Sequence, residues 1–146
     1  MSSFVTRDAT AADADALARL CTQLGHPATP DVIPARLARI AGDTNARAIV
    51  VDAPNRGGVV ALATIHIRNT LNHNAPLAQL SLLVVEEAVR GTGVGRAIVD
   101  EAERWARDRG CMRMVVTTAL RRTDAHAFYE RIGYTHTGRR YAKDLE

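Results

Sequence analysis

The chemistry this sequence displays most openly lies in Arg90-Gly91-Thr92-Gly93-Val94-Gly95-Arg96. The stretch follows an apolar run, Leu77 to Val85, and opens a segment with helical spacing. A helix start exposes amide N–H groups that lack an acceptor within the helix, and it carries partial positive charge. Glycines let the backbone approach an anion with no Cβ in the way, and Arg90 adds charged donors. Such a turn can cradle a phosphate or diphosphate. It can equally be a glycine-rich connection that lets a helix pack closely. The glycines alternate, so the spacing is not the G-x-G-x-x-G of dinucleotide folds. About twenty residues on, Cys111 to Val115 offers no acid for a ribose. The Walker spacing is also absent.

Other reactive side chains are sparse. Cys21 and Cys111 form no CxxC pair and no metal-ligand spacing with the histidines, so both read as small apolar core residues and no metal is expected. The pairs Arg121-Arg122 and Arg139-Arg140 read as solvated loop residues.

The elements that must position the turn follow from periodicity. Ser3 to Arg7 predicts a strand. Thr10 with Asp13 three residues on resembles a capping box, opening a helix that Gly25 stops. Thr29-Pro30 opens a second helix, with Pro at its first position, up to Gly42. Ala46 to Asp52, Gly58 to Arg68 and Leu77 to Val85 predict strands, the last buried on both faces. Val94 to Arg109 predicts the longest helix, with Asp100–Arg104 and Glu103–Arg107 pairs at i,i+4. Met112 to Thr118 predicts a strand, Thr123 to Ile132 a short helix, and Tyr134 to Leu145 one or two edge strands. A strand, tight turn, helix and strand over 77–118 make a βαβ unit, so part of the sheet is expected to be parallel.

The 146 residues are 47% hydrophobic and 24% charged, which suits one globular domain over 1–146 and argues against disorder. A net charge of +3 favours an acidic ligand. Aromatics at 4% and scattered basic residues argue against a nucleic-acid partner. No apolar run approaches the ~18 residues of a membrane span, and Met1-Ser2-Ser3-Phe4 shows no export signal, so a cytoplasmic location is the expectation.

Two motifs together resemble a known family. Arg90-x-x-Gly93-x-Gly95 after Leu83-Val84-Val85 is similar to the acyl-CoA motif of the GNAT superfamily. Ala125-His126-Ala127-Phe128-Tyr129-Glu130-Arg131-Ile132-Gly133-Tyr134 is similar to its second motif. The order of elements matches over nearly the whole chain. The resemblance implies an α/β fold: a mixed, mostly antiparallel sheet of six to seven strands, splayed between the fourth and fifth, with helices on both faces. It implies acetyl-CoA as co-substrate. Backbone groups of Leu83, Val84 and Val85 would pair with the pantetheine arm, and N–H groups from Arg90, Gly91, Thr92, Gly93, Val94, Gly95 and Arg96 would hold the pyrophosphate. Tyr129 matches the position where many members place a tyrosine near the thioester sulfur, and a phenol of reference pKa ~10 can protonate a departing thiolate. The implied activity is acetyl transfer to a primary amine of a small molecule or peptide by direct attack.

The match has two departures. Arg122 stands where the second motif carries asparagine, so it either meets a CoA phosphate or is solvated. No acid lies in Leu77 to Val85 or Met112 to Thr118, where relatives place a general base. Glu86 and Glu87 read as solvated. His66, His73 or a water chain remain as alternatives for the base. The missing acid also leaves open a non-catalytic acyl-CoA-binding module. Small members often pair through tail strands, and the analogy extends to a homodimer.

Overall fold

The computed structural model describes residues 4–117, 123–138 and 140–145. Its sheet has the order β1 (Val5–Asp8), β2 (Ala46–Ala53), β3 (Gly58–Arg68), β4 (Leu77–Val85) and β5 (Arg113–Val116). The first three pairings are antiparallel, and β4 with β5 is parallel, as the βαβ unit requires. The helices are α1 (Ala14–Leu24), α2 (Ile33–Ala41), α3 (Val94–Asp108) and α4 (Thr123–Arg131).

Each helix start has a local cause. Thr10 donates its backbone N–H to Asp13 Oδ2 at 2.8 Å, fixing the 3₁₀ turn Ala11–Asp13 that leads into α1. Arg7 grips the same carboxylate with two bonds of 2.9 Å and also reaches Asp52 Oδ2 at 3.1 Å. Those bonds to Arg7 hold the Asp13 carboxyl below the usual carboxylate range. Gly25, at φ 100°, ends α1 in the left-handed region.

The alternation of each strand divides the interior. Ile49, Val51, Ala63, Ile65 and Leu80 face α3, meeting Val94, Ile98 and Ala102. Val50, Leu62 and Val84 point the other way, onto Leu17, Leu20, Cys21 and Ile33 of α1 and α2. Helices therefore cover both faces. Cys21 is buried there, and Cys111 packs half-buried against the α3 side.

Among the described residues the sheet has five strands, not six or seven. The difference is the tail: residues 134–138 and 140–145 form no strand. That segment is almost wholly exposed, with Thr135, His136, Thr137, Gly138 and Lys143 giving no apolar alternation to bury. On α3 the expected Glu103–Arg107 pair forms at 3.3 Å. Arg104 turns instead to Glu101 and Asp108, leaving Asp100 to Arg96 at 3.1 Å. Glu101 is the better partner because it is itself largely buried and also takes Arg47 at 2.9 Å.

Candidate functional site

The site begins at an irregularity in the sheet. Thr64 of β3 lies opposite Leu82, and Ile65 lies opposite Leu80, so Ser81 is an extra residue on β4. A bulge of this kind bends the strand and re-aims the residues beyond it. Ser81 Oγ meets Thr64 Oγ1 at 2.8 Å across the bulge. Among the described residues the β4–β5 ladder runs from Leu77↔Arg113 to Leu80↔Val116. Beyond the bulge, Leu82 to Val85 pair with β3 on one side and, among the described residues, have no β5 partner on the other. Among the described residues this leaves a strip in which the backbone N–H and C=O groups of Leu83 and Val85 turn away from β3 without a ladder partner, while those of Val84, between them, face Leu62. Val84 is buried under α1, while Leu83 and Val85 pack partly against the α3 side.

That strip leads into the glycine turn. Glu87–Val89 form one 3₁₀ turn, which Thr92 Oγ1 caps by donating to the Val89 carbonyl. Gly91 and Gly93 have φ of 81° and 90°. An L side chain is strained there, and nothing lies within 4 Å of where a Cβ would stand at either. Gly93 is the N-cap of α3, and the first helical bond runs from Ala97 N–H to Gly93 O at 3.0 Å. The amides of Val94, Gly95 and Arg96 precede that bond, so the helix supplies them no acceptor. Unobstructed glycines before three such amides fit a diphosphate on chemical grounds. Arg90 is half-exposed beside them, with Nε 3.4 Å from Val85 O and a guanidinium nitrogen 3.8 Å from Asp124 Oδ2. Arg96 is exposed and paired with Asp100.

The second motif folds onto the first. A Cβ on Gly95 would stand 3.3 Å from two ring atoms of Phe128 and 3.5 Å from Val85 Cγ2. The end of β4, the start of α3 and the middle of α4 therefore meet at one glycine. Tyr129, next to Phe128, is 8% exposed, and its ring stands edge-on to Phe128 at 5.4 Å and to Tyr134 at 5.9 Å. Tyr134 donates its hydroxyl to Glu103 Oε2 at 2.7 Å. Burial first, and then that carboxylate, pushes the Tyr134 phenol far above its ordinary range, so Tyr134 stays protonated. The sequence shows Gly133-Tyr134 and Glu103 but carries no signal that they touch.

Tyr129, Tyr134, Gln79, Val116 and Thr117 line one cavity of about 1620 Å³, bounded by β5, α4 and the tail. Gln79 Nε2 donates to Thr117 Oγ1 at 3.2 Å, tying β4 to β5 just where they begin to part. His66 sits opposite Gln79 in the register, half-buried on β3. His73 lies in the β3–β4 loop, where its Nδ1 and Thr70 Oγ1 are 2.9 Å apart, at the end of β4 remote from the splay. The structure thus puts His66 near the parting strands and keeps His73 away. Arg122 lies outside the described residues.

Glu86 is engaged, not solvated. It takes Arg19 at 3.0 Å and Gln23 Nε2 at 2.8 Å, pinning α1 to the end of β4. Its backbone N–H also binds Val60 O at 2.7 Å. Two acids directly before a glycine turn were a visible signal, but a partner sixty-seven residues away was not. Among the described residues no group of three or more His, Cys, Asp or Glu is placed to hold a metal. No helix there is long and apolar enough to cross a membrane.

Comparison with known proteins gives a family match and four similar proteins. The family model described as acetyltransferase (GNAT) family matches residues 14–134. An aminoalkylphosphonate N-acetyltransferase of Salmonella typhimurium is 33% identical over 93 residues, covering 64% of this chain and 60% of that protein. An aminoglycoside N(6')-acetyltransferase type 1 of Stenotrophomonas maltophilia is 29% identical, covering 91% of this chain and 87% of that one. In fold, the aminoglycoside N-acetyltransferase AAC(6')-Iy, solved in complex with CoA, superimposes with a TM-score of 0.83. The two are 22% identical, with 99% and 96% of the chains covered. An acetyltransferase from Agrobacterium tumefaciens gives 0.82 at 27% identity, with 97% and 99% covered.

Proposed function

The chain belongs to the acetyltransferase (GNAT) family, and from that premise we propose that it moves an acetyl group from acetyl-CoA to a primary amine of a small molecule or peptide. The observation that carries this reading is the splay. After Leu80↔Val116 the β4 edge has no ladder partner among the described residues, and it leads directly to three amides at the start of α3 that the helix leaves without acceptors. An extended pantetheine chain can lie along Leu83, Val84 and Val85 and bond to the outward backbone groups of Leu83 and Val85, as an added strand does. The diphosphate then reaches the amides of Val94, Gly95 and Arg96, with Arg90 free to exchange Asp124 for a phosphate.

Chemistry needs both reactants held together, which converts a bimolecular step into a local one. The neutral amine nitrogen attacks the thioester carbonyl. The new N–C bond forms as the C–S bond breaks, and the thiolate leaves with a proton. Tyr129 supplies that proton. Its placement beside the turn, held edge-on between Phe128 and Tyr134, supports the role. No carboxylate stands on β4 or β5, and Glu86 is bound to Arg19 and Gln23. The amine proton therefore passes to solvent water. The relatives named as N-acetyltransferases favour transfer over a non-catalytic acyl-CoA-binding role.

Tyr129→Phe tests the reading while keeping the ring. Removing a general acid costs about 10²- to 10⁴-fold in rate. We expect kcat on any accepted amine to fall by about 100-fold or more, with the acetyl-CoA Kd within about twofold of wild type by calorimetry. Unchanged turnover would remove Tyr129 from the mechanism. Failure of acetyl-CoA to bind at all would remove the function.

A further inference from the structure

On β3, Ala61, Ala63 and Ile65 belong to the α3 side, so Thr64, His66 and Arg68 face the opposite way. On β4, Ala78 and Leu80 belong to the α3 side, so Leu77 and Gln79 oppose it. On β5, Met114 and Val116 pack toward α3, so Arg113, Val115 and Thr117 oppose it. The Gln79–Thr117 bond agrees with this assignment. The helices on that face pack over Val50, Val59, Leu62, Leu82 and Val84, not over Leu77, Gln79 or β5. Among the described residues no helix covers that part of the face, and it opens into the cavity shared with Tyr129.

Two arginines stand there. Arg68 and Arg113 are both register partners of Leu77, one from each neighbouring strand, and both line the cavity. With strands ~4.8 Å apart, their Cα atoms are roughly 10 Å apart, close enough for both guanidinium groups to converge on one anion. Arg7, Arg19, Arg47, Arg90, Arg96, Arg104 and Arg107 all have carboxylate partners. Among the described residues Arg68 and Arg113 have none; nor do Arg36, Arg39, Arg56, Arg109, Arg131 and Arg140, but of those without one only Arg68, Arg113 and Arg140 line the cavity, and Arg140 stands on the tail, outside the register pair. The strands beside them carry no acid. Of the carboxylates lining the cavity, Glu103 is taken by Tyr134 and Arg107, and Glu130 lies on α4. The arginine row stands three residues from Leu80, where the strands part, a step of about 10 Å. Much of that step lies within reach of an arginine side chain.

We infer that the amine acceptor carries an anionic group a few bonds from its amine, and that Arg68 and Arg113 clamp this group while the amine lies at the splay. A guanidinium binds a phosphonate, phosphate or carboxylate with paired donors. A polycationic acceptor would meet like charge here. The inference rests on the transfer reading and adds the acceptor class to it.

The test uses the full chain with 3-aminopropylphosphonate, 1-propylamine and 1,3-diaminopropane, which share a three-carbon spacing. We expect kcat/KM for the phosphonate to exceed that for either other amine by about tenfold or more, and to fall as ionic strength rises. In Arg68→Gln and Arg113→Gln the phosphonate-to-propylamine ratio of kcat/KM should fall about tenfold each, mostly through KM. Calorimetry of 3-aminopropylphosphonate against wild type and both variants reads the clamp without turnover. Preference for the diamine, an unchanged ratio in both variants, or absence of phosphonate binding to wild type overturns the inference. Acetyl-CoA binding is measured separately, and its loss overturns the transfer reading instead.

Discussion

Gly95→Ala separates two reasons for glycine in one turn. Gly95 lies in the first turn of α3 with ordinary helical backbone, so alanine is conformationally welcome there and gains about 1 kcal/mol in helix propensity. The opposing cost is steric. The new methyl would stand 3.3 Å from Cε1 and Cζ of Phe128, so the ring must retreat by a few tenths of an ångström. Overpacking a tight site costs about 1–3 kcal/mol. Phe128 is half-buried, with one side open to Arg131 at 5.9 Å, which places the cost at the low end. The net change in stability should lie within about 1 kcal/mol of zero. Gly93→Ala meets no atom within 4 Å yet must hold φ near 90°, so it should lose about 1–2 kcal/mol from strain alone. Urea unfolding of both variants gives the comparison. Activity should rank the other way for kcat, because moving Phe128 moves Tyr129 in contact with it. The Gly95→Ala/Phe128→Leu double variant should recover about 1 kcal/mol of coupling by making room. A loss above about 3 kcal/mol in Gly95→Ala, or a neutral Gly93→Ala, refutes this account of the turn.

Acid should weaken the fold through Asp13 and Glu101. Bonds from Arg7 and from Arg104 hold these carboxyls below their unfolded values, so their contribution is present above about pH 4 and is lost as pH falls through the folded values. Urea midpoints between pH 2 and 6 check the slope, and Asp13→Asn should flatten it. Tyr134→Phe removes the bond to Glu103 and should cost about 1–2 kcal/mol, while ultraviolet titration of the wild type should show Tyr134 silent up to pH 11. With solvent as base, kcat/KM should climb steadily with pH as the free acceptor amine deprotonates. A large loss of kcat in His66→Gln with acetyl-CoA affinity unchanged would instead assign the base to His66.

The glycine turn was legible because its features are local. Gly91, Gly93 and Gly95 between an apolar strand and a helix announce a backbone that must bend and expose amides, and the structure puts positive φ at Gly91 and Gly93. β3 and β4 carry the bounds that their apolar runs predict, and the βαβ spacing made β5 parallel to β4. Periodicity on α3 could not rank acids competing for Arg104, since the choice turned on Arg47 reaching Glu101 from another strand.

Before residue 134, composition and periodicity alone settled which segments are strands or helices and which side of each is apolar, because those preferences act within a few residues; the tail strands they suggested do not form among the described residues. The three-dimensional packing decided the rest. The bulge at Ser81 falls directly after the last β4–β5 pair among the described residues, Glu86 was drawn to Arg19, and Phe128 came to rest on Gly95. It also set Arg68 and Arg113 on either side of Leu77. Each of these depends on strand register and on contacts between distant residues, where a shift of one position sends a side chain to the opposite face.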